Sequence, residues 1–220
     1  MREVVSIENS GRAKRQYDGS GRQRDATERQ ERIIDAAHTR FVRDGYSATS
    51  IDQIARDAGT SAQTVYAAFT NKAGILRRVL DVAIAGDHED IPIIDRPEPQ
   101  AIFTEPDVAA RLQLAVDVAV MIHSRSAHLI ALTQSLAGSD PAVQELADDL
   151  ERQVRTDTEL FLLAAADQLR DDMPMSRLVD IALLITGPMS WHRLVNECGW
   201  TTDEWRAWAL DAMQHLVMAH

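Results

Sequence analysis

Apolar positions recur at helical spacing along almost the whole chain. Ile33, Ile34, Ala37, Phe41 and Val42 share one face of a helix predicted from about Ala26, and Gly45 is a fitting stop. Ile51, Ile54, Ala55 and Ala58 follow at i, i+3, i+4 and i+7. Ser50 and Gln53 form a capping-box pattern ahead of them, and Gly59 ends the segment. Ser61 caps a third helix with Val65 and Phe69 inward. Asn71 caps a fourth, from about Lys72 to Ala85. Residues 86–106 then hold four of the seven prolines, a density that predicts a loop. Residues 91–94 alone hint at a strand, with Pro92 inside the run. Helical patterning resumes over 107–137, 140–170, 176–197 and 202–219, the first read either as one helix or as two broken near residues 124–126. Pro141 suits the first turn after Asp140, Pro174 separates the next pair, and Gly187 with Pro188 should kink or split the helix that contains them. No segment alternates with period two, and no internal repeat is present. The fold class is all-α.

Composition changes this picture once it is mapped. The formal charge of −11 argues against an anionic partner. Yet residues 1–78 carry 14 Lys and Arg against 10 Asp and Glu, a net of +4; residues 79–220 carry 9 against 24, a net of −15. A small basic module joined to a larger acidic one points to nucleic acid at the first. Residues 1–25, with Gly11, Gly19, Gly21 and six basic residues, read as a disordered basic arm. Arg22 and Arg24 are its residues best placed to reach DNA. A single cysteine, Cys198, excludes an internal disulfide framework and any cysteine-based zinc site. No apolar run reaches membrane-spanning length; the longest, residues 178–191, is broken by Asp180, Gly187 and Pro188. The N-terminus lacks an apolar signal segment. A cytoplasmic protein with no membrane partner is expected.

Residues 50–69 carry the strongest chemical signal. Two short helices meet at a tight turn through Ala58, Gly59 and Thr60, and small Ala55 and Ala58 permit close packing. The second helix opens with the short polar run Ser61, Ala62, Gln63, Thr64, as a major-groove reader requires at its N-terminal end. Gln63 can pair with adenine, Thr64 can meet a base edge or a thymine methyl, and Tyr66 can offer its hydroxyl to a phosphate. Lys72 opposes the dipole of its own helix, a placement that makes sense if it shares an anion with the free N–H groups there. The alternative is an ordinary helical hairpin whose polar groups are merely solvated.

The combination Gly45, Tyr46, Thr49, Ser50, Ile51, Ile54, Ala55, Ala58, Gly59, Thr60, Ser61, Thr64, Val65, Tyr66, Phe69, Asn71, Lys72 and Leu76 resembles the tetracycline-repressor (TetR) family of bacterial transcription regulators. The resemblance covers about residues 26–86. Two positions depart from it: Ala68, where many members carry histidine, and Thr60, where valine is usual. The resemblance implies a helix-turn-helix DNA-binding domain over 26–88 and a ligand-binding and dimerisation domain over 89–220. It implies a homodimer that binds a palindromic double-stranded DNA operator and is released by a small-molecule effector. By the same pattern Thr49, Ser50, Tyr66 and Lys72 hold phosphates, while Ala62, Gln63 and Thr64 face bases, next to the cap Ser61.

The acidic half is less specific. Leu184, Leu194, Val195, Trp205, Trp208, Met213 and Leu216 are expected at a dimer surface, since Trp and Met are enriched in interfaces. Met121, His123, Phe161, Met189, Trp191 and His192 are candidates for the wall of an effector pocket. For each of them core packing is the competing role. His123 and His128 stand five apart, about 140° round a helix, so no metal site is expected. No nucleophile elbow, phosphate loop or catalytic carboxylate pair is present, and neither an enzyme nor a cofactor is expected. The rival readings are an all-α interaction module that does not bind DNA and, less favoured, an all-α enzyme.

Overall fold

The computed structural model describes residues 20–219. In chain order the α-helices are α1 (Ser20–Asp44), α2 (Ile51–Asp57), α3 (Ala62–Phe69), α4 (Lys72–Ala85), α5 (Pro97–Thr104), α6 (Val108–Leu136), α7 (Pro141–Leu163), α8 (Met175–Thr186), the single turn α9 (Pro188–Trp191) and α10 (Thr202–Leu216). Among the described residues there is no strand, only an isolated bridge between Leu169 and Met218.

Three short helices pack beneath α1 and share its core. Ile33, Phe41, Ile54, Val65, Ile75 and Leu76 are buried together. Each junction is held by a side-chain cap. Ser50 and Gln53 form the capping box of α2, Ser61 accepts from the Thr64 N–H, and Asn71 accepts from the Gly74 N–H. This core does not stop at α4, because Leu129 and Ile130 of α6 and Val143 and Leu146 of α7 complete it. A second core joins α6 to α8, α9 and α10 through Val116, Leu178, Ile185, Trp191 and Trp205. Helix α6 thus serves both cores. By length and apolar composition it is also the one described helix able to cross a membrane. Charges such as Arg111, Asp117 and Arg125 hide that property from a search for unbroken apolar runs.

Several boundaries differ from expectation. The first helix begins at Ser20, so Arg22 and Arg24 stand on α1 rather than on an irregular arm; the rest of the arm, residues 1–19, lies outside the described residues. The proline-rich stretch holds a 3₁₀ turn at Ile93–Asp95 and the helix α5, whose Pro97 occupies the first turn, where its missing N–H leaves no bond unmade. Helix α6 runs unbroken through residues 124–126. Gly187 and Pro188 do split the 176–197 segment, and its last part is a π-helical turn, His192–Glu197.

Candidate DNA-reading face and effector cavity

The pair α2–α3 is fixed by geometry that its sequence dictates. Gly59 has φ +65°, a left-handed conformation natural to glycine, and it turns the chain between the two helices. Arg40 on α1 grips Asp57 at the end of α2 with bonds of 2.6 and 3.1 Å, so α2 cannot rotate on α1 without breaking a bidentate pair. Gly74 sits where a Cβ would come within 2.4 Å of the Phe69 carbonyl, which allows α4 to start directly against the end of α3.

On α3, Val65 and Phe69 are buried and Ala62 packs onto the same core. The opposite side presents Gln63, Tyr66 and Ala67, all exposed, with Tyr66 at 54%. Of the three residues expected to face bases, Gln63 is therefore the freest. Thr64 is half-buried and its hydroxyl lies 2.8 Å from that of Ser61. Ala67, at i+4 from Gln63, shares this outward face, although an alanine by itself signals neither face.

The phosphate candidates divide. Ser50 is exposed, although its hydroxyl already accepts from the Gln53 N–H and donates to the Gln53 side-chain Oε1 at 3.0 Å. Thr49 is 2% exposed and its hydroxyl donates to the Gly45 carbonyl at 2.8 Å. That single proton cannot also be given to a phosphate, so the side chain of Thr49 is a turn lock. Lys72 is not poised on an anion. Its ammonium donates to the carbonyls of Tyr46 at 2.9 Å and Thr49 at 3.0 Å, and stands 4.1 Å over the Tyr46 ring. A cation at this N-terminus is thus explained by the α1–α2 turn it ties down. Burial lowers the Lys72 pKa, opposed by the charge of Asp140. Burial also pushes the Tyr46 hydroxyl up to about 12, helped by Asp140, the N-cap of α7. The same cluster links the reading helices to the second half of the molecule.

That second half holds a cavity of about 200 Å³ that is partly open to its surroundings. Its wall is drawn from Ile84 on α4, Ile102 on α5, Leu112, Val116, Ala119, Ile122 and His123 on α6, Val154, Asp157, Thr158 and Phe161 on α7, Ala182 and Thr186 on α8, and Met213 on α10. Of the six pocket candidates, His123 and Phe161 line it, and Phe161 stacks on Phe103 with ring centres 5.3 Å apart. The other four do not. Trp191 is 3% exposed and packs edge-on against Trp205 at 5.0 Å. Met189 points outward at 42% exposure. Met121 lies outside the lining, and His192 sits beside His128, with rings 6.1 Å apart. Helix periodicity places these residues on helices but cannot say which neighbours stand opposite. Most of the residues missed are aliphatic and indistinguishable by sequence from ordinary core; the polar ones, among them Asp157, Thr158 and Thr186, look like solvated helix positions until the fold turns them inward.

The His123 Nε2 lies 2.8 Å from the Thr186 carbonyl, one of the last carbonyls of α8 and so without a helical partner. Burial holds the His123 pKa down at about 4, against the opposing effect of that bond. Asp157, at the cavity wall, accepts from Gln153 at 2.9 Å, and burial raises its carboxyl pKa. Among the described residues, no group of three or more His, Cys, Asp or Glu is placed to hold a metal ion.

The dimer candidates also divide. Trp205 is wholly buried within the protomer and donates to the Ser190 hydroxyl at 3.2 Å, while Met213 is buried and lines the cavity. Both are core. Leu184 at 77% and Leu216 at 46% are exposed, with Leu194, Val195 and Trp208 half-buried.

The family model for bacterial regulatory proteins of the tetR family matches residues 33–79, the span from mid-α1 into α4. The helix-turn-helix domain belongs to this family. Within it, the transcriptional repressor ComR of Escherichia coli is 44% identical over 59 residues, 26% of this chain, and the match spans 28% of the length of ComR. The tetR-type fold extends further. A regulator from Mesorhizobium loti superposes with a TM-score of 0.66 at 19% identity, over 88% of this chain and 98% of that one. The regulator FadR from Bacillus subtilis, in complex with stearoyl-CoA, does so with a TM-score of 0.64 at 18% identity, over 85% and 97%. At such identities the shared property is the all-α architecture.

Proposed function

We propose that this protein is a DNA-binding transcriptional regulator that responds to a small molecule. The observation that carries this reading is α3: a capped, eight-residue helix locked on its inner face and presenting Gln63, Tyr66 and Ala67 outward, within the tetR-family match. In the proposed complex α3 enters the major groove of double-stranded DNA, with Gln63 and Thr64 at base edges. Tyr66 and Ser50, whose exposed hydroxyl turns from Gln53 to donate, hold phosphates together with the N-terminus of α3, and Arg22 and Arg24 are further backbone contacts. Lys72 supports this surface through the turn it anchors and adds its charge to the local field. The reader spans residues 26–88 and the sensor 89–220.

A homodimer presents two such helices about 34 Å apart to a palindromic operator. Its interface is proposed on the outward faces of α8 and α10, around Leu184, Leu194, Val195, Trp208 and Leu216. An effector in the cavity acts on α4, because Ile84 in the last turn of α4 forms part of the wall and Arg125 of α6 donates to the Ala83 and Ile84 carbonyls. A ligand that shifts α4 changes the spacing of the reading helices, and DNA affinity falls by its differential affinity for the two states. Repression relieved by the effector, in the cytoplasm, is the proposed role. Gel shifts and footprinting on the DNA upstream of the protein's own gene test it. Protection of a palindrome at moderate salt is the expected result. Indifference to DNA at low salt would instead favour an interaction module.

A further inference from the structure

Two spaces adjoin in the second half. The apolar cavity meets a charged groove of about 760 Å³ between α4, residues 87–94 and α7. Ile84, Ile93, Ile94, Leu150, Gln153 and Asp157 line both. The inner wall is mostly aliphatic, and Asp157 is its one acid. This carboxylate is half-buried, and its one hydrogen bond among the described residues is the 2.9 Å bond that Oδ1 accepts from Gln153. No arginine or lysine among the described residues pairs with it, and burial raises its pKa with no neighbouring cation to offset the lost water. The cations nearby are already taken. Arg77 and Arg152 pair with Asp149, and Arg78 pairs with Asp81 at 3.2 Å. Arg111, the one cation of the inner wall, gives its N–H groups to the carbonyls of Glu105 and Ala164. Six carboxylates and three arginines line the groove, so the charge beside Asp157 is negative on balance. A carboxylate half withdrawn from water and lacking a counter-charge is stabilised by a cation brought to it, because water screens the attraction only partly there.

We infer that the cavity takes a cationic amphiphile, with an apolar body against the aliphatic wall and an ammonium head on the carboxylate of Asp157, where cavity and groove meet. The site selects the division between body and head rather than a length, since the partly open cavity lets a longer molecule extend into the groove. An anionic amphiphile of the same shape meets the surplus acids at this junction. A neutral one leaves Asp157 without a counter-charge. This inference rests on the cavity being the effector site, and its test is kept separate from DNA release.

Calorimetry on the full, DNA-free protein with octylammonium, octanol and octanoate, each below its micelle-forming concentration, is the experiment. The three share a tail and differ in the charge of the head. Octylammonium should bind at least about tenfold more tightly than octanol, the ratio expected for one charge-assisted hydrogen bond, and octanoate weakest. In Asp157→Asn, which keeps the shape and removes the charge, octylammonium and octanol should bind alike; Asp157→Glu should retain part of the preference. These variants also separate the site from a diffuse attraction of cations to the acidic half, which they leave nearly unchanged. In wild-type protein the carboxyl-carbon NMR signal of Asp157 should move further with octylammonium than with octanol, a readout that does not depend on any variant folding. Equal binding of octylammonium and octanol, tighter binding of octanoate, no binding by octylammonium, or a preference that survives in Asp157→Asn overturns the inference. Cation-selective binding that leaves DNA affinity unchanged would preserve the inference and remove the proposed regulation.

Discussion

The candidate reading helices and the cavity of the second half are built on opposite plans. In α2 and α3 the polar groups are local and satisfied: Ser50 answers Gln53, Ser61 answers Thr64, and Lys72 answers the carbonyls of the preceding turn. The functional side chains are left outside that network, on a rigid scaffold. Around the cavity the arrangement is reversed. The walls come from six helices scattered from Ile84 to Met213, and the one deeply buried histidine keeps a nitrogen unmatched. A surface that reads a rigid polymer is pre-ordered by neighbours in sequence. A cavity, by contrast, is assembled from segments distant in sequence, and its lining is set by how those helices pack.

The sharpest challenge to this contrast is Trp205. If it is core, as its full burial says, Trp205→Ala should lower unfolding free energy by about 3–5 kcal/mol in denaturant titration. A loss confined to the dimerisation equilibrium would return it to the interface.

The pH dependence of stability probes the cavity next. His123 titrates at about 4 in the folded protein against 6.5 when unfolded, so the unfolded chain binds the extra proton between those values. Its contribution is intact above about pH 6.5 and is lost as the pH falls towards 4. The expected loss is about 3 kcal/mol, read as the difference in pH profile between wild type and His123→Phe.

Lys72→Met removes two charge-assisted bonds at the α1–α2 turn and should destabilise the reading domain by about 1.5–3 kcal/mol without DNA present. An effect on the salt dependence of DNA binding alone would restore Lys72 to a purely phosphate-binding role. Gln63→Ala should cost about 1–3 kcal/mol at a single operator position while leaving stability unchanged, measured by binding to a set of single-base operator variants. Smallest in stability is Leu184→Ala. On a 77% exposed site it should move the unfolding midpoint of the protomer within about 0.5 kcal/mol, and shift only the monomer–dimer balance in sedimentation.

The reading domain was legible because its signals are short-range. The caps Ser50, Ser61 and Asn71 and the turn at Gly59 all act within four residues, and the structure places each where the pattern predicts. What it did not reveal was partnership within the protomer. Thr49 and Lys72 carry groups able to meet a phosphate, but the Gly45, Tyr46 and Thr49 carbonyls take them first. In the second half, Trp205 and Leu184 both look like interface residues in sequence; one is wholly buried and the other almost wholly exposed.

By itself, then, the sequence determined an all-α chain, the helix-turn-helix at residues 50–69 and the break at Gly187 and Pro188, because helix periodicity, caps and proline act on adjacent residues. It also determined that charge divides between a basic and an acidic part. Only the tertiary structure decided which apolar residues face the cavity, which tryptophans are core, and which polar atoms find partners. Those outcomes depend on how α6 packs between two cores and on segments dozens of residues apart, and no local pattern encodes them.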